Sequence, residues 1–521
     1  MAVPEPWVLA VDLGTGGPKT GAVSLRGEVL AHALASVHTT YTPDGGAVQD
    51  TAEWWDAIRA GAREVVTSGR VGAADLVGVG ITGQWGSTVP VGADGRAVGS
   101  CRLWADTRGG RFAAKAVGGP VAVFGYSPAN ILRWIQFTGG APSPNGADPL
   151  GHELYMRNCE PQLYEKTSFL MEPLDFLGLM FTGRAVATPA SMILSWLTDN
   201  RPGARPLYVP ELVRRSGRDG GRLPPLVPTG SVIGEVLPDV ADDIGISPVP
   251  VVAGVPDLHG SFVGSGAVAP YQAHLTISTT AWIGCEVPFK RTDVLHQMAA
   301  VPGLRPGEYL VANNHETAGL CLQWARGALN AGRAQGANAE PSYEELCALA
   351  ASAPGGSGGV IFTPWLKGER TPVDDRTLRA AFLNVSIDTT RAHLVRAVLE
   401  GVAFNARWLL EAVERFVSRP LPALRILGGG ARSDLWCQVH ADILGRRIER
   451  VADPMFACLR GAGLFAAMSL GKLTLDDVAG LVRVSDTFEP SSEAREVYEP
   501  MYAEFKRFYG ALHGAYARLN G

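Results

Sequence analysis

Five stretches combine glycines with residues that can do chemistry. In "VLAVDLGTGGPKTGAV", Val8 to Val23, an apolar run meets Asp12 and then a turn holding Gly14, Thr15 and Lys19. A glycine turn at a strand end exposes backbone N–H groups that can bind phosphate oxygens. Lys19 would add a point charge, and Asp12 could hold a magnesium ion through water. The stretch is not a P-loop. Pro18 stands before the lysine where that motif needs glycine, and a strand follows where it needs a helix. The competing reading is an ordinary hairpin turn with a surface lysine.

"GVGITG", Gly78 to Gly83, has G-x-G-x-x-G spacing, but "QWGSTVPVGADGRAVG" after it alternates like a strand. A dinucleotide fingerprint must open a helix, so these glycines read instead as close backbone packing. Gln84 and Trp85 behind them can face a ligand. "LWADTR" adds Trp104, Asp106 and Arg108, an aromatic plate with polar groups suited to a sugar, or else a core tryptophan beside a surface ion pair. "VVAGVPDLHGSFVGSGAV" sets Asp257 at a strand end among glycines that let a ligand approach the backbone. Aspartate at a turn also commonly serves as a local hydrogen-bonding residue. "HLTISTTAWIGCEV" reads as a hairpin with Thr279 and Thr280 at its tip. In "LGGGARSDLWCQ", Gly429 and Gly430 leave backbone bare for a base or a phosphate, and Ser433 can cap the next helix.

The elements that must position these residues alternate between strand and helix. The first strand, its glycine turn and a second strand precede a helix at "DTAEWWDAIRAGAREVV", where Asp50 and Glu53 have capping-box spacing. "PLDFLGLMFTG" and "TPASMILSWL" read as helices, and residues 139–151 as a loop. Proline and glycine crowd the region from 200 to 250. That places the lobe boundary just after it: 1–254 for the first lobe, 255–521 for the second. A long helix spans about Thr390–Val417. Each half begins with an apolar strand leading to an aspartate and glycines, a hint of duplication.

The composition is globular: 46% hydrophobic, 19% charged, net charge −5 over 521 residues. That charge gives no general attraction to nucleic acid. No apolar run of about 18 residues suggests a membrane span, and the N-terminus lacks the basic-then-apolar order of a signal peptide. Seven scattered cysteines without C-x-x-C fit a reduced, cytoplasmic protein.

"DLGTGGPK", "GQWG", "LWADTR", "FTGR", "GVPD", "WLKGERTP", "RAVLEGVAF" and "GGGARSDLWCQVHAD", in that order, resemble the FGGY carbohydrate kinases, and most of all the xylulose kinases among them. The resemblance implies an α/β fold of two actin-like, ribonuclease-H-like ATPase lobes with ATP and sugar meeting in the cleft between them. It implies Asp257 as catalytic base and Asp12 on Mg²⁺ through water. Gly14, Thr15, Lys19, Thr279 and Thr280 would contact phosphates, and Gly429, Gly430 and Ser433 would lie at the adenosine site. Gln84, Trp85, Trp104 and Asp106 would line the sugar site. The partners implied are ATP and a ketose or polyol, with no nucleic acid and no membrane; a homodimer is left open.

Three departures stand out. The family's "GTS" in the second hairpin is "STT" here, Ser278 to Thr280. The xylulose kinases' "GQMHG" is "GQWGS", with Gly86 at the histidine position. Residues 126–153 look like an insertion. A sugar-binding sensor without catalysis and an actin-like ATP switch are the rival readings.

Overall fold

The computed structural model describes residues 5–120, 125–329 and 341–521. The chain opens on a hairpin. Strand Trp7–Gly14 is buried almost throughout and runs antiparallel to Gly17–Ser24, with Asp12 opposite Lys19 and Gly14 opposite Gly17. Gly17 sits at φ +136°, and a Cβ there would overlap the Ala35 carbonyl, so the turn requires glycine.

This hairpin anchors a sheet in the order Val29–Leu34, Gly17–Ser24, Trp7–Gly14, Leu76–Gly83, Pro250–Val252, Val232–Glu235. The pairings run antiparallel, antiparallel, parallel, parallel, antiparallel. The second half repeats this sequence of directions. Tyr309–Ala312, Ala281–Val287, Ala273–Ile277, Ala423–Leu427, Arg447–Val451 and Val484–Phe488 lie side by side with the same five senses. The duplication hinted at by the sequence is therefore present in the topology. It extends to single residues. Gly83 ends and Gly428 directly follows the fourth strand of its sheet, both at positive φ, and a Cβ on either would collide with the neighbouring third strand, at Leu13 and Ile277 respectively.

Two helices join the halves. Asp257–Ser265, with eight of its nine residues buried, follows directly on the first sheet's short strand Val255–Pro256. Ala457–Ser469 comes from late in the chain yet lies on the first sheet: a Cβ on Gly80 would overlap the Ala462 carbonyl. The two helices cross at glycines. A side chain on Gly461 would strike the Gly260 carbonyl, and one on Gly264 the Ala457 carbonyl.

The expected helices hold at Thr51–Thr67, Pro173–Thr182 and Arg391–Val417. Three local expectations need correction. Asp50 caps its helix at Ala52 N, but Glu53 bonds His38 N instead of closing a capping box. "TPASMILSWL" forms only a short 3₁₀ turn, Ile193–Ser195, because Thr188 and Ser191 bond each other in a local turn and Trp196 takes φ +57°. Asp257 opens a helix where the glycines had suggested only strand and loop.

Residues 126–153 contribute the helix Pro128–Thr138 and the start of another, Pro149–Cys159. The first docks on the second sheet. Lys290 Nζ donates to the Ile135 and Gln136 carbonyls at 2.9 and 2.7 Å, and Thr292 Oγ1 donates to the Gly139 carbonyl at 2.6 Å. A cation on carbonyls at a helix C-terminus is favourable in charge and in hydrogen bonding. Lys290→Met should therefore lower stability by about 1–2 kcal/mol, read as a lower urea midpoint. A midpoint equal to the parent's would show this docking to be energetically neutral.

Candidate active site

Asp12, Lys19 and Asp257 converge where the first strand ends and the helix Asp257–Ser265 begins. Lys19 Nζ lies 2.7 Å from Asp12 Oδ2, and the Asp12 side chain is almost fully buried. Burial opposes the lysine's charge, but Asp12 outweighs it by charge and hydrogen bond, so the Lys19 pKa is raised. Asp257 keeps partial access to solvent. The protein packed around its carboxyl pushes the pKa up to about 7, the Asp12 charge adds to this, and the Leu258 N–H and Lys19 hold it back. Cys458, at the start of the other crossing helix, feels all three groups. Burial and the two carboxylates raise its pKa, so it is a neutral thiol.

A polar network ties the first glycine turn to the predicted sugar-site residues. Thr15 Oγ1 donates to Gln84 Oε1 at 3.0 Å and accepts from Trp104 Nε1 at 3.2 Å. Gln49 links to both, donating to the Thr15 carbonyl at 2.7 Å and accepting from Gln84 Nε2 at 3.2 Å. Gln49 was not singled out in the sequence, where nothing distinguishes it from a surface glutamine. Asp106 is brought close but is occupied: its carboxylate is bidentate with Arg108 and accepts from Ala47 N. Gly86 takes φ +71°, and a Cβ there would come within 2.8 Å of Leu194 Cδ1. The departure at the histidine position is thus filled from another segment.

The second hairpin presents its tip to solvent. Ser278 and Thr279 are exposed, Thr280 is partly so, and none of the three has positive φ. Serine in place of glycine therefore costs this turn no backbone strain. The tip rests on the start of the helix Gly319–Ala328, where Ala318 N and Gly319 N donate to the Thr279 and Ser278 carbonyls. Of the glycine triplet, only Gly429 faces open space. Gly430 packs against the Ile277 side chain, as Gly428 does against its carbonyl. Ser433 caps Asp434–Leu444 through Trp436 N.

A further cluster comes from "WLKGERTP". Buried Glu369 accepts from Glu316 N, Arg370 N and Asn405 Nδ2. Arg370 pairs with Glu316 and sets its guanidinium 5.8 Å from the Trp104 ring, across from the second half to the first. The sequence offered this block as part of the family resemblance but gave no role for its side chains.

The donor set suits a nucleotide and its metal. Among the described residues there is no group of three or more His, Cys, Asp or Glu that could hold a metal ion alone. Two facing carboxylates, one bonded to a lysine, fit an ion that brings phosphate and water as its other ligands. Exposed hairpin tips in both halves and the open face of Gly429 leave room for phosphates and a base.

The FGGY N-terminal domain matches residues 7–116 and the FGGY C-terminal domain residues 284–470. The chain belongs to the FGGY family of carbohydrate kinases. A xylulose kinase of Staphylococcus epidermidis is 28% identical over 509 residues, 96% of each chain. A xylulose kinase structure from Rhodospirillum rubrum matches at TM-score 0.79 with 26% identity, covering 98% of this chain and 100% of that one. A gluconate kinase structure from Lactobacillus acidophilus matches at TM-score 0.84 with 19% identity, covering 99% and 100%. The fold is therefore the two-lobe, actin-like ATPase fold of these enzymes, and the protein is a sugar kinase. Kinases of this family use ATP as phosphate donor. No helix among the described residues is long and apolar enough to cross a membrane.

Proposed function

We propose that this FGGY kinase transfers the γ-phosphoryl group of ATP to a hydroxyl of a ketose or polyol in the cytoplasm. The observation that carries the reading is Asp257 beside the Asp12–Lys19 pair, with a carboxyl pKa of about 7. A sugar hydroxyl is a poor nucleophile, and a carboxylate of that basicity can take its proton as the new P–O bond forms. Asp257 is the base. Lys19 leaves Asp12 to meet the transferring phosphoryl, whose equatorial oxygens carry the charge of the transition state. Gly14 and Thr15 of the first turn and Thr279 and Thr280 of the second hold phosphates from opposite halves. Gly429, Gly430 and Ser433 border the adenosine. Asp12 would hold Mg²⁺ through water, and the ion would supply neutralisation of phosphate charge. Gln84, Trp85, Trp104 and Asp106 shape the sugar site, with Asp106 acting through Arg108.

The missing imidazole at Gly86 removes a hydrogen-bonding partner, and a site built around such a partner discriminates strongly. D-xylulose should therefore not be the best substrate. Sugar-dependent ADP release, measured across pentoses, ketoses and polyols with ATP and Mg²⁺, tests both statements. ADP release that no sugar stimulates would overturn the ketose-or-polyol assignment. D-xylulose ranking first would overturn the exclusion alone.

A further inference from the structure

The polar groups of the sugar site are largely spent on one another. Gln84 uses its carbonyl on Thr15 and its amide on Gln49. Trp104 Nε1 donates to Thr15, and Asp106 is closed by Arg108 and Ala47 N. Trp282, from the second sheet, donates its indole N–H to Ser261 Oγ at 3.3 Å and so turns only carbon elsewhere. Trp85, Leu194 and Trp282 all keep partial exposure. All three pack against one apolar cluster that includes Leu258 and Phe262, residues of the helix that starts at Asp257. Leu194 also occupies the space a side chain at position 86 would need.

We propose that Leu194 is a specificity-determining residue: with Trp85 and Trp282 it forms an apolar wall beside Asp257 that takes a deoxygenated carbon of the substrate. The substrate class is then a deoxy-ketose or deoxy-polyol. This rests on the ketose-or-polyol reading of the same site. A hydroxyl pressed on this wall would lose its water and find no partner, whereas a methyl or methylene group would lose nothing. The position is filled by a residue of the 3₁₀ turn Ile193–Ser195, far along the chain from "GQWGS", so no comparison of that motif alone reveals it.

The test is kcat/KM with ATP for matched pairs: D-xylulose and 1-deoxy-D-xylulose, D-ribulose and 1-deoxy-D-ribulose. The deoxy member of at least one pair should be favoured by about tenfold or more. In Leu194→Asn, which adds hydrogen-bonding groups at similar size, that ratio should fall by about tenfold. Leu194→Ala, which only opens space, should lower the ratio less. Parent sugars favoured over deoxy sugars in both pairs, or a ratio that Leu194→Asn leaves unchanged, would overturn the wall. If none of the four sugars is phosphorylated, the wider panel of ketoses and polyols decides that reading separately. Tryptophan-fluorescence titration with the same pairs then decides the wall: tighter binding of the deoxy members supports it, and equal or weaker binding overturns it.

Discussion

Asp257→Asn should lose about 10²–10⁴-fold in turnover while the fold and ATP affinity stay close to the parent's. Asparagine keeps the size and can still accept a hydrogen bond, but it cannot take a proton from a hydroxyl at neutral pH. If Asp257 served only the start of its helix, asparagine would do so equally well, and turnover would barely change. The nucleotide contacts proposed here lie at Gly14–Lys19, Thr279–Thr280 and Gly429–Ser433, none of which the substitution touches. Turnover at saturating ATP and sugar, together with ATP affinity, separates the two accounts; near-normal turnover would falsify Asp257 as the base.

The pKa gives the same substitution a second readout. Asp257 titrates near 7 in the folded protein against an ordinary value of 3.8. The folded state thus holds a proton between those limits that the unfolded chain has released. The stability linked to this group is greatest at low pH and is lost as pH rises through about 7. Above that pH the ionised carboxyl opposes Asp12 in a poorly solvated place, so Asp257→Asn should melt higher than the parent at pH 8. The gap should narrow as pH falls below 7 and close towards 4. For the parent, kcat/KM should fall about tenfold per pH unit below 7, since the base must be ionised.

Much of the fold could be read from the chain because its signals are local. An apolar run and glycines around Asp12 and Lys19 specify a hairpin, and apolar spacing after Thr390 specifies the long helix Arg391–Val417. The readings that failed depend on contacts, some local and some distant in sequence, that residue pattern alone does not show. The helix Asp257–Ser265 carries Gly260 and Gly264, poor helix formers, because the backbone of Ala457–Ser469 lies against them. Thr188 and Ser191 look compatible with a helix until their side chains are seen bonded to each other. The candidate site divides the same way. Asp12, Lys19 and Asp257 were legible by type and position, but the occupancy of Asp106, the packing of Gly430 and the intrusion of Leu194 arise from contacts between segments.

Gly461→Ala should lower both stability and turnover, although alanine is the better helix former. In an exposed helix interior this change would stabilise by up to about 1 kcal/mol. Gly461 has an ordinary helical backbone, so no strain arises from the residue itself. Its added methyl would instead overlap the Gly260 carbonyl, a backbone atom that no rotamer change can clear. The helices must part, and overpacking of this kind costs about 1–3 kcal/mol. The effect on catalysis should be larger. Asp257 begins one crossing helix, while the other carries Cys458 within the electrostatic reach of Asp12 and Lys19. Separating the helices moves the base relative to the phosphate-binding pair, and a misplacement of about 1 Å can cost on the order of 10²-fold in rate. Lower turnover with ATP affinity retained, and a lower urea midpoint, are the expected results. A variant more stable than the parent and equally active would show that the crossing yields to a methyl group and does not set the distance between Asp257 and Asp12.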